Sequence, residues 1–109
     1  TRAPIGVTRA LPETRALLRE AMEEIAALAR AGEIRLREDI VPRALQFMDG
    51  LDPQGTSSLQ RDLAAGRASE LEAWNGAVVR LGRARGVATP MHAFLYASLL
   101  PQERAATGA

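Results

Sequence analysis

The sequence predicts an all-α fold of about five helices, and three observations carry that expectation. Apolar residues recur at three- and four-residue spacing through most of the chain. Proline, glycine and small polar residues punctuate it at intervals suited to helix starts and stops. No stretch alternates apolar and polar residues as a half-buried strand does. With 109 residues, 47% of them hydrophobic, there is enough chain for one domain with a modest core and too little for two. Residues 1–109 are therefore read as a single helical domain. Aromatics make up only 4%, so alanine, leucine and valine must do most of the packing, which favours closely approaching helices.

The first residues, TRAPIGVTRA, contain Pro4 and Gly6 and read as an irregular lead-in. They carry no initiator methionine, so Thr1 is read as a cut end. A first helix is expected from Pro12, with proline in its first turn and Glu13 near the positive end of the dipole. Leu18, Met22, Ile25 and Ala29 form its stripe, and Gly32 stops it. A second opens near Asp39, an acceptable cap, keeps Pro42 in its first turn, and ends at Gly50, with Val41, Leu45 and Met48 inward. After the turn-rich LDPQGT, Ser57 caps a third helix, Gln60 completes a capping box, and Gly66 stops it. Ser69 caps a fourth, with Glu72 completing a second box. Leu71, Trp74, Val78, Leu81 and Arg85 share one face, and Gly86 ends it. A fifth starts at Thr89-Pro90 and carries Met91, Phe94, Leu95, Leu99 and Leu100. Pro101 is expected to end it and the tail to fray.

Composition excludes several classes of function. There are 14 basic and 13 acidic residues, a net charge of +1, which gives no strong field for nucleic acid or anionic lipid. No apolar run approaches the roughly 18 residues of a membrane span, and no signal-peptide pattern is present. Cysteine is absent, compatible with a reducing compartment, and a cytoplasmic location is expected. Every basic residue is arginine. With no lysine, no cysteine, one histidine (His92) and one tyrosine (Tyr96), the chain lacks most of the residue types that move protons or attack carbonyls. A complete enzyme is not expected.

The candidate sites separate on chemistry. A DNA-reading helix pair would place Glu70 and Glu72 against phosphates, where affinity needs Lys and Arg. A metal site fails for lack of ligands, and His92 near a helix start reads as a polar surface residue. Arg80, Arg83 and Arg85 crowd a helix C-terminus, where the dipole stabilises cations. The stretch from Ser57 to Glu72 is richer. Two helix starts lie close in sequence, each with unpaired backbone N–H groups suited to a carboxylate or phosphate. Ser58 is free to point its hydroxyl at a ligand, and Glu70 could accept from sugar hydroxyls. The same residues are also ordinary helix-capping types, and pattern alone leaves both readings open.

SSLQRDLAAGRASELEAWNG (residues 57–76), followed by AVVRLGRARGVATP and an aromatic-containing last helix, resembles the C-terminal domain of the ketopantoate reductase (2-dehydropantoate 2-reductase) family. The shared order is a Ser-Ser pair, a Gln-Asp-like step, a Gly-Arg turn, a Glu-hydrophobic pair, and Asn-Gly before an apolar helix. The resemblance implies a fold similar to the C-terminal domain of 6-phosphogluconate dehydrogenase. It also implies a half enzyme, with NADPH bound mainly by an N-terminal Rossmann domain and a 2-keto acid as substrate. By this resemblance Ser58 binds substrate, Glu70 contacts the cofactor, and the catalytic lysine lies upstream of Thr1. Ile5 stands where the family often has a substrate-contacting asparagine, so a related 2-keto acid or other carbonyl compound is an alternative to ketopantoate. The isolated chain is then expected to be inactive and to self-associate, as a homo-oligomer, through the surface its missing domain would cover. A free-standing helical dimerisation module is the rival reading.

Overall fold

A computed structural model describes residues 1–108. It is all-α: among the described residues there are six α-helices, one π-turn and no strand. The additional helix is α1 (Ile5–Ala10), in the segment expected to be irregular. Its first N–H groups are satisfied from far along the chain: Ile5 N donates to Gly55 O (2.9 Å) and Gly6 N to Pro53 O (2.8 Å). The backbones approach so closely that a β-carbon on Gly6 would lie 2.7 Å from Pro53 Cβ. No local signal announces such a start, because its partners are in another loop.

α2 (Pro12–Ala31) has Pro at its start and Glu13 in its first turn as expected. Gly32 does not take the left-handed conformation; Glu33 does, at φ 64°. Ile34 N reaches back to Ala29 O (2.9 Å) to close the end. α3 (Ile40–Asp49) buries Leu45. Asp39 precedes it without a side-chain capping bond; its carboxylate is taken by Arg37 Nε at 3.0 Å. α4 (Ser58–Ala64) ends in a left-handed Gly66 (φ 70°), with Arg67 N bonded to Asp62 O.

The fourth expected helix begins instead as the π-turn Glu72–Gly76, which leads into α5 (Ala77–Arg85). Gly76 N donates to Leu71 O at 2.9 Å, an i→i−5 bond that inserts one residue and rotates the downstream helix by about 100°. This shift redirects the apolar face. Leu71, Gly76, Val79 and Gly82 are buried, while Trp74 and Leu81, expected inside, are exposed. Gly82 is required by close approach, since a β-carbon there would sit 2.8 Å from both Thr89 Cγ2 and Val87 O.

α6 (Pro90–Thr107) runs through Pro101 rather than ending there. Proline removes one helical bond and leaves the Ala97 carbonyl without its donor. Both residues are on the exposed side, where water can serve that carbonyl, and Glu103 anchors the following turn from the buried side. α2 is the hub, packing on α1, α3, α5 and α6, while α6 also packs along the π-turn. α4 has no other helix packed closely along it.

Candidate functional site

The π-turn is fixed by polar side chains from three directions. Glu103, only 7% exposed, accepts from Ser69 N (2.9 Å) and from the Ser69 hydroxyl (2.6 Å). Ser69 Oγ in turn accepts from Leu71 N (3.2 Å). The expected box between Ser69 and Glu72 is therefore replaced by a carboxylate from α6. Glu72 turns elsewhere: it accepts from the Tyr96 hydroxyl at 2.8 Å and lies 3.6 Å from the Arg80 guanidinium. The bond to Glu72, with burial adding to it, holds the Tyr96 phenol above its ordinary pKa.

His92 is not a surface residue; it is 6% exposed and joins three elements. Its Nε2 lies 2.9 Å from the carbonyl of Ala21, which can only accept, so the ring proton sits on Nε2. Nδ1 then accepts from Asn75 Nδ2 at 3.2 Å. Glu24, on α2, accepts from the backbone N–H groups of Met91 and His92 (2.6 and 2.9 Å) and so caps α6. The chain thus spends its one histidine on aiming Asn75. The Asn75 carbonyl oxygen has no hydrogen-bond partner among the described residues.

Asn75 lines a cleft of about 960 Å³. One part of the lining is polar and includes Ser57, Gln60, Asn75 and Gln102; the larger part is apolar, formed by Leu18, Leu59, Leu63, Leu95 and Leu99. The charged residues on it are Arg2 and Asp52. No lysine, histidine or cysteine is on its lining. Among the described residues no group of three or more His, Cys, Asp or Glu is placed to hold a metal. No described helix is long and apolar enough to cross a membrane.

The residues singled out from sequence fall in different places. Ser57 caps α4 by accepting from Gln60 N (3.1 Å), but the Gln60 side chain donates to Ala3 O (3.0 Å) instead of returning to Ser57. Ser58 is exposed at the first position of α4, and Glu70 is exposed just after Ser69. Neither is in the cleft lining, and no bond joins the two. Ile5 is on the cleft, its Cγ2 3.5 Å from where a β-carbon on Gly55 would be. Sequence reading missed Glu24, Asn75, His92 and Glu103 as a working set. Only the Asn-Gly pair was a signal, since the partners are 17 to 68 residues apart.

The family model described as "Ketopantoate reductase PanE/ApbA C terminal" matches residues 1–103. A 2-dehydropantoate 2-reductase of Caulobacter vibrioides is 40% identical over 83 residues, covering 76% of this chain and 29% of that protein. One from Pyrobaculum aerophilum is 34% identical over 94 residues, covering 86% and 33%. The chain thus spans about a third of the length of the curated relatives it matches. The crystal structure of a PanE/ApbA family ketopantoate reductase from Ralstonia eutropha superposes with a TM-score of 0.83 at 33% identity, over 96% of this chain and 35% of that one. A dimeric ketopantoate reductase from Staphylococcus aureus, at 22% identity over 94% of this chain and 36% of its own, shares the fold with a TM-score of 0.86.

Proposed function

This chain belongs to the ketopantoate reductase family by its C-terminal domain, and from that premise we propose that it is the helical half of an NADPH-dependent 2-keto acid reductase. NADPH, when bound, supplies the hydride for the keto carbon and is held mainly by a nucleotide-binding half. This chain binds and orients, and the proton donor for the developing alkoxide is a lysine from outside it. Such a division fits a chain with no lysine.

The observation that carries the reading is the state of Ser58 and Glu70. Both are exposed, without side-chain partners, in the segment that the family match spans. Side chains that complete a site shared with another domain have to be uncovered in this way, whereas the neighbouring Ser57, Ser69 and Glu72 are consumed by the fold. Ser58 is assigned to the substrate and Glu70 to the cofactor. Ile5 offers the substrate no hydrogen bond. Losing one to a charged group costs about 1.5–3 kcal/mol, or roughly ten- to a hundred-fold in affinity. A 2-keto acid with a larger apolar side chain than ketopantoate therefore fits the reading as well as ketopantoate does. A symmetric dimer is part of the same proposal, supported by the exposed apolar side chains Trp74 (58%) and Phe94 (68%), as is a cytoplasmic location.

The test is a chimera in which this chain replaces the matched part of the Caulobacter vibrioides relative. Ser58→Ala should raise the KM for the keto acid by about tenfold, and Glu70→Ala should raise chiefly that for NADPH. Steady-state constants unchanged in both variants would remove the two assignments.

A further inference from the structure

Two carboxamides on the cleft are tied by their nitrogens, and they are tied to different things. Gln60 Nε2 donates to the Ala3 carbonyl (3.0 Å), in the lead-in at the start of the chain. Asn75 is tied to the buried His92, which is itself pinned to α2. That second bond dictates which way the amide faces. The Ala21 carbonyl can only accept, so Nε2 carries the ring proton and Nδ1 is left as an acceptor. An acceptor 3.2 Å away selects the Asn75 nitrogen. The two ends of a carboxamide point apart, so the oxygen is turned away from His92. No described residue donates to it, and it is not sealed in, since no buried side-chain oxygen or nitrogen among them lacks a partner. The surface that Asn75 lines is the cleft.

Stability alone does not ask for this pair, because an apolar pair of the same shape can be nearly neutral or stabilising. The pair does fix one polarity on the cleft. Asn75 also stands inside the π-turn Glu72–Gly76, a form that recurs at functional sites. We propose that Asn75 is the specificity residue for a hydroxyl on the side chain of the keto acid, and that His92 is the positioning residue that keeps the Asn75 oxygen toward it. The inference rests on the proposed function and narrows its substrate class. The carboxylate and keto oxygens of a 2-keto acid only accept hydrogen bonds, so neither can be held by Asn75 Oδ1. A side-chain hydroxyl is the donor such an acid can offer. The leucines of the same lining, Leu95 and Leu99 among them, take the hydrocarbon around it, and excluding water there strengthens the bond.

Ketopantoate and trimethylpyruvate differ only by that hydroxyl, so the pair reads its recognition directly. Both are titrated into the 109-residue chain and followed by ¹H–¹⁵N spectra of the side-chain amides. Ketopantoate should shift the Asn75 amide with a Kd roughly three- to tenfold below that of trimethylpyruvate. Gln46 and Gln54, exposed and off the cleft, should stay in place. In the chimera the same preference should appear in KM. Asn75→Leu and His92→Phe should each raise the KM for ketopantoate alone, with kcat unchanged, and bring the two acids level. A role in stability only would change both acids alike. Equal affinity for the two acids, an unmoved Asn75 amide, or a preference that survives Asn75→Leu would overturn the proposal. The titration uses the unaltered chain, so misfolding of His92→Phe does not block it. A chimera that reduces both acids without preference removes this inference and leaves the proposed function standing. A folded chimera that reduces neither removes the proposed function, and the titration then decides whether Asn75 reads the hydroxyl.

Discussion

Two serines twelve residues apart, Ser57 and Ser69, open helical segments with the same local signature and are fastened in opposite ways. Ser57 caps locally, through Gln60 N, and begins a helix that stands open at a cleft. Ser69 is held by a buried carboxylate 34 residues away, and the turn after it is tied to α2 and α6 through Asn75, His92 and Tyr96. A capping pattern therefore marks where a helix starts but not what holds it. The rigid region is the one with distant polar partners. The open region is α4 beside the cleft, where no distant polar side chain closes the helix start.

Removing the distant partner should break the rigid side hardest. Glu103→Ala leaves the half-buried Ser69 N–H and hydroxyl without their carboxylate, with an expected loss of about 2–3 kcal/mol in urea unfolding; a loss no larger than that of Ser57→Ala would erase the contrast. His92→Leu removes the second bond to the helical Ala21 carbonyl and leaves Asn75 Nδ2 without its acceptor, with an expected loss of about 1–2 kcal/mol and a collapse of the Asn75 side-chain amide shift toward its solvent value. On the open side, Ser57→Ala removes one cap and should cost about 1 kcal/mol, read as faster amide exchange confined to α4.

The smallest effects are in pH dependence. Arg15, bonded bidentately to Asp49 across α2 and α3, holds that carboxyl below its ordinary pKa. Its contribution is present above the unfolded carboxylate value and is lost as pH falls through the lower folded one. Tyr96 runs the other way: its raised pKa gives a contribution complete below the unfolded phenol value and lost as pH rises through the folded one. Asp49→Asn should flatten the acid limb of stability against pH, and Tyr96→Phe the alkaline limb. Both groups are exposed enough that neither variant should shift the neutral-pH midpoint as far as Ser57→Ala does.

Much of this was legible from sequence, and the features that were not share one cause. Pro12, Pro42, Ser57, Gly66, Gly86 and Pro90 mark their helix ends because proline, glycine and capping residues act within one turn. α1 was missed because its first N–H groups are paired with the 53–55 loop. The π-turn was missed because one inserted residue leaves no compositional trace, and it put Trp74 outside. Pro101 did not stop α6 because the Ala97 carbonyl it deprives of a donor is on the exposed side, while Glu103 fastens the next turn. His92 was misplaced because burying a histidine needs two partners from distant segments. The Ser57–Gly76 block itself was recognisable as a family pattern, and the family match over residues 1–103 bears that out.

That this chain is one half of a reductase is the proposal drawn from its family and from the uncovered Ser58 and Glu70. It is tested most directly by following NADPH oxidation with ketopantoate, and with bulkier 2-keto acids, for the 109-residue chain alone and for the chimera carrying it. The chain alone should give no turnover above a heat-killed control, and the chimera should give keto-acid-dependent turnover. Turnover by the chain alone, or a folded chimera that binds NADPH yet reduces none of these acids, would contradict it.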